Sequence, residues 1–107
     1  MKNIFDDIPP ELPKELFTTI LQADGFRIER IVSHGHSSPE EFWYDQDEME
    51  WVILLQGAAQ LQIEGESQSL SMKPGDFLCI APHQRHRVEW TAADEHTIWL
   101  AVFLPGD

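Results

Sequence analysis

Positive charge is scarce in this chain: 7 Lys and Arg stand against 19 Asp and Glu, a formal net charge of −12. Such a field repels phosphate backbones and anionic lipid, so nucleic acid and membrane surfaces are excluded as expected partners. Cysteine is nearly absent. The single Cys79 rules out an internal disulfide and fits a reducing, cytoplasmic compartment. No apolar run approaches the roughly 20 residues of a membrane-spanning helix, and Trp51–Leu55 has the length of a strand. The first residues, MKNIFDDIPPELPKE, carry acids where a signal peptide would carry an apolar stretch, so no export is expected. There is no repeat of fixed period, no phosphate loop and no dinucleotide fingerprint. No serine belongs to a recognisable Ser/His/Asp order. Cys79 lies in the apolar segment FLCIA and reads as core rather than nucleophile.

What the chain does have is enough apolar material for one core: 42% of 107 residues are hydrophobic, which suits a single domain. Pro9, Pro10 and Pro13 punctuate the start. After them Leu12, Leu16, Phe17, Ile20 and Leu21 recur at helical spacing, with Gly25 as a stop. The spacing predicts a short amphipathic helix over 11–23, in an N-terminal segment (1–25) packed on a β domain (26–107). From Phe26 the pattern is strand. WVILLQ is a continuous apolar run, expected to be buried on both faces. AAQLQIEG alternates, Glu64-Gly65-Glu66 marks a hairpin turn, SQSLSM gives a further strand, and Lys73-Pro74-Gly75-Asp76 is a turn. In HRVEWT, His86, Val88 and Trp90 alternate with Arg87, Glu89 and Thr91; Arg87 is expected to face away and pair with an outside acid. TIWLAVFL closes the series. About seven short strands separated by turns predict an all-β sandwich or barrel.

Two segments resemble the motifs of the cupin family. In PGDFLCIAPHQRHRVEW, Gly75 and His86 fall on the glycine and histidine of G-x5-P-x-G-x2-H-x3-N. Ala81, His83 and Trp90 replace its proline, second glycine and asparagine. In FWYDQDEMEWVILLQG, Glu50 and Gly57 match the glutamate and final glycine of G-x5-H-x-H-x3,4-E-x6-G. Its two histidines are missing. A spacer of four puts their places on Trp43 and Asp45, a spacer of three on Tyr44 and Gln46. The resemblance runs from about Phe26 to Phe103. It implies a double-stranded β-helix, a jelly-roll barrel of two sheets, with any metal held inside between the two motifs.

On that resemblance His86, Glu50 and Asp45 are the expected metal ligands. Asp45 is preferred over Gln46 because a carboxylate supplies the missing anionic donor. One imidazole with two carboxylates suits Fe(II), with Mn or Zn as alternatives. Trp43, Tyr44, Gln46 and Trp90 are the expected pocket residues. Without a metal, His86 and Glu50 would bond each other or a polar ligand. Residues 47–48 of the acidic run read as a solvated loop. His34 and His36, spaced H-x-H before the motif glutamate, read as a Gly/Ser/Pro loop, and His83 and His96 as turn residues.

Two functions stay open from the sequence. One is a metal-dependent oxygenase or isomerase acting on a small molecule. The other is a non-catalytic small-molecule-binding module with a metal-free or vestigial site. Apolar residues on both faces of WVILLQ and TIWLAVF further predict pairing into a homodimer.

Overall fold

The computed structural model describes residues 1–106. Eight strands run in chain order: β1 (Leu16–Ala23), β2 (Phe26–Ser33), β3 (Glu48–Gln56), β4 (Ala59–Ile63), β5 (Leu70–Met72), β6 (Phe77–Ile80), β7 (His86–Thr91) and β8 (Thr97–Pro105). They form a five-stranded sheet, β1-β2-β8-β3-β6, and a three-stranded sheet, β5-β4-β7. All strand pairs are antiparallel. The fold is the all-β double-stranded β-helix expected from the motifs. Among the described residues no helix is long and apolar enough to cross a membrane.

The helix expected over 11–23 is not formed. Leu16–Ala23 is β1, paired with β2 through the two-residue turn Asp24-Gly25, where Gly25 takes φ +88°. The β-branched run Thr18-Thr19-Ile20 favours an extended chain. A bulge between Thr19 and Leu21 inserts Ile20 as an extra residue, and this break in strand phase imitates helical spacing.

Leu54, Val52, Ile80, Trp99, Ala101 and Phe103 of the larger sheet pack on Ala59, Leu61 and Met72 of the smaller one. In β3 only the face of Glu50, Val52 and Leu54 is fully buried; Trp51, Ile53 and Leu55 on the other face are half-buried. WVILLQ is therefore not buried on both faces. The period-2 alternation carries Glu50 inward with the core residues, which is how a carboxylate comes to lie inside the barrel. Gly57 passes the chain from β3 toward β4 at φ +92°, and a Cβ there would sit 2.6 Å from Thr97 Cα. The position therefore needs glycine.

Candidate functional site

Between the two sheets lies a cavity of about 100 Å³. Its polar inner side is built from Tyr44, Gln46, Glu50 and His86, and its apolar walls include Val52, Leu61, Ile80, Val88, Trp99 and Phe103. Glu15, Phe17, Glu29 and Ile31 complete it from β1 and β2 and the residue before β1.

His86 opens β7 opposite Ile63 of β4, and on its other side it bridges Tyr44. The backbone of Tyr44 donates to the His86 carbonyl at 2.7 Å, and the His86 amide donates back to the Tyr44 carbonyl at 3.1 Å. The rings of Tyr44 and His86 stack with centroids 5.4 Å apart. His86 Nδ1 donates to the Gln84 carbonyl at 2.9 Å, which leaves Nε2 facing Glu50 Oε1 at 3.6 Å. Gln46 Nε2 donates to the same Oε1 at 3.2 Å.

Burial pushes the His86 pKa down, but the Glu50 carboxylate and the Gln84 carbonyl together outweigh it, and the net shift is upward. The Tyr44 pKa is raised by burial first and then by the negative charges of Glu15 and Glu50. Tyr44 thus stays a neutral phenol that can donate a hydrogen bond at physiological pH.

The structure brings together Glu50, His86, Tyr44 and Gln46, and leaves out Asp45, Trp43 and Trp90. The Tyr44–His86 bridge fixes the phase of the segment before β3, so Tyr44 and Gln46 point inward. Asp45 instead lies at the surface, its Oδ1 2.8 Å from His83 Nδ1. Trp43 lies against Arg85, whose Cζ is 5.7 Å from the ring centroid. The motif places are thus those of the three-residue spacer, not the four-residue spacer that favoured Asp45.

Trp90 is 46% exposed. Opposite β4, Gln60 faces Trp90 and Leu61 faces Val88, so Glu89 is an extra residue. This bulge turns Trp90 out and Thr91 in, against simple alternation from His86. Arg87 finds no acid among the described residues; it donates to the carbonyls of Ser38 and Pro39 at 3.1 and 3.2 Å.

Sequence reasoning missed the contribution of β1 and β2. Reading 11–23 as a helix hid Glu15 and Phe17, whereas the alternation of Glu29 and Ile31 in FRIERIV was a usable signal. It also missed that His34 and His96 meet edge to face at 4.9 Å, joining two loops far apart in sequence.

The cupin domain family model matches residues 27–103. The chain belongs to the cupin family. Among solved structures, this cupin is similar to a protein of Ralstonia eutropha provisionally named a mannose-6-phosphate isomerase, with 43% identity, coverage of 99% of this chain and 98% of that one, and a TM-score of 0.96. It is similar in fold to a cupin superfamily protein of Desulfitobacterium hafniense, with 19% identity over 94% and 84% of the two chains and a TM-score of 0.73. A double-stranded β-helix protein of Klebsiella pneumoniae also shares the fold, at 17% identity over 100% and 90% and a TM-score of 0.78. No curated protein matches the chain significantly.

A divalent metal, common among cupins, does not fit the side chains gathered here. Among the described residues no group of three or more His, Cys, Asp and Glu is arranged to hold one. The two places of the family's histidines hold an amide and a protonated phenol, and the carboxylate of Asp45 is turned outward to His83. At the motif places one imidazole and one carboxylate remain, and Glu15 and Glu29, which also line the cavity, complete no group of three or four donors with them.

Proposed function

We propose that this cupin binds a compact small molecule in its barrel without a metal, seating it against Tyr44, Gln46, Glu50 and His86. The supporting observation is the pairing of Glu50 with His86 at the inner side of a cavity whose walls are mostly apolar. Apolar walls give affinity and a few converging polar groups fix orientation. The cavity's size suits a ligand of roughly the bulk of benzene, which fills an engineered cavity of about 150 Å³ in another protein.

A second reading is acid–base catalysis. It is favoured by the same pair and by the name of the 43% identical relative. Glu50 would take a proton from a carbon next to a carbonyl, and Tyr44 or His86 would donate to the oxygen. Exchange of that hydrogen with deuterated solvent, lost in Glu50→Gln, separates catalysis from binding.

The test of the main reading is amide chemical-shift mapping with a panel of compact molecules, in chelator and then with Fe(II), Mn(II) or Zn(II). Shifts at residues 44–50 and 86 in chelator are expected, and His86→Ala should abolish them. Shifts seen only with metal present would restore a metal-dependent site.

A further inference from the structure

We propose that the barrel cavity selects small organic cations, protonated amines or methylated ammonium groups, over neutral and anionic molecules of equal size. The inference rests on the metal-free pocket reading and names its ligand class.

Charge is the first argument. Glu15, Glu29 and Glu50 line the cavity, and no Lys or Arg does. Arg27 stands beside the lining residues Glu29 and Phe103 and is already paired, with Glu29 at 3.1 Å and with Glu48. His86 offsets Glu50 when protonated, and Arg27 offsets Glu29. Glu15 accepts from the neutral hydroxyl of Ser33 at 2.6 Å and has no cationic partner among the described residues. The cavity is therefore net negative even with every available cation counted. The Tyr44 hydroxyl, raised in pKa by burial first, is raised further by the charges of Glu15 and Glu50.

An acidic cluster alone would not make a site, but two further features point to a ligand. Glu50 is only 8% exposed and lines the cavity. Both of its contacts fall on Oε1, which leaves Oε2 open to solvent or to a ligand. The walls also carry four aromatic rings, Phe17, Tyr44, Trp99 and Phe103. Aromatic faces attract cations that have shed their water, and Arg27 already stands 4.0 Å from the centre of the Phe103 ring. Carboxylates with aromatic faces in one small enclosure suit an alkylammonium group, whose methyls fill apolar space while its charge meets the acids.

The same features disfavour a phosphorylated sugar. A phosphate would lose water beside three carboxylates, and the nearby guanidinium of Arg27 is already paired with Glu29 and Glu48. A hexose phosphate is also far bulkier than a cavity of about 100 Å³ admits. At long range the net charge of −12 draws cations toward the protein and repels anions.

The experiment compares three compact probes: tetramethylammonium, tert-butanol and trimethylacetate. Binding is read from shifts of the residue 44–50 and 86 amides at low salt. Tetramethylammonium should bind about tenfold tighter than tert-butanol, a difference of about 1.4 kcal/mol. Trimethylacetate should not bind. Glu15→Gln should erase most of the preference, whereas Glu66→Gln, the same charge loss at an exposed turn, should keep it. If tert-butanol binds as tightly as tetramethylammonium, cation selection is overturned and the pocket reading survives. Equal losses in Glu15→Gln and Glu66→Gln would also overturn it, because overall charge rather than the cavity would then be at work. If no probe moves the cavity amides, the pocket reading falls with it.

Discussion

The two sheets of the barrel differ in length and in depth of burial. The larger sheet has four strands of eight or nine residues and one of four, and the smaller has strands of five, three and six. The bulkiest fully buried aliphatic side chains, Leu54, Ile80, Ile98 and Val32, all come from the larger sheet. Each sheet also leaves apolar side chains at the surface, Phe17, Ile20, Leu21 and Phe77 in the larger and Leu70 and Trp90 in the smaller. The chemistry divides differently. The larger sheet carries Glu29 and Glu50, and the smaller carries His86. The bulkiest fully buried side chains thus lie in one wall, while the site exists only where both walls meet.

The sharpest break of this arrangement is at the passage between the sheets. Gly57→Ala would add a Cβ against Thr97 in a backbone region that only glycine adopts freely. Strain of about 1–3 kcal/mol and overpacking of about 1–3 kcal/mol should combine into one of the largest single losses in the molecule. Leu54→Ala follows, with an expected loss of about 2–5 kcal/mol for a fully buried leucine. Leu70→Ala in the smaller sheet should change stability by only about 0.5 kcal/mol. Urea midpoints of the three variants measure the contrast. Equal losses at Leu54 and Leu70 would remove the distinction between the walls.

How much of this was legible follows from phase. Alternating stretches such as Ala59–Ile63 gave their strand and inward face correctly, because a half-buried strand has a strict period of two. Glu50 and His86 were legible from the motifs, and Glu50 also from its register with Val52 and Leu54. The errors sit at bulges and short bridges, where one residue changes the phase. Ile20 made a strand look helical, and Glu89 turned Trp90 out. Asp45 was preferred over Gln46 on donor chemistry, but the backbone bridge at Tyr44 settles which residues point in. No local pattern records a pairing between residues 42 positions apart.

Within the site, Glu50→Ala removes the carboxylate that faces His86 Nε2. A loss of about 1–3 kcal/mol is expected for leaving a buried polar partner unsatisfied, together with a lower His86 pKa in an NMR titration. The linkage to pH has a definite sign. The folded-state pKa of His86 is raised above its unfolded value of about 6.5. Its contribution is fully present below that unfolded value and is lost as pH rises through the folded pKa. Comparing urea midpoints on either side of this window should show a decline that is smaller in His86→Gln. An equal decline in parent and variant would show that another group carries it.

The smallest expected effect tests the two faces of β7. His86 and Val88 line the cavity, and alternation alone would have put Trp90 beside them. The bulge at Glu89 sends the indole outward instead, and nearly half of its surface stays in contact with water. Removing an exposed side chain away from such contacts changes stability by about 0.5 kcal/mol or less. Trp90→Ala should therefore keep the urea midpoint near that of the parent and leave ligand-induced shifts at residues 44–50 and 86 unchanged. Val88→Ala, two residues earlier on the same strand, should alter those shifts because it enlarges the cavity wall. If Trp90→Ala disturbs the cavity as Val88→Ala does, the bulge does not hold in solution, and the smaller sheet contributes a bulky apolar residue to the site after all.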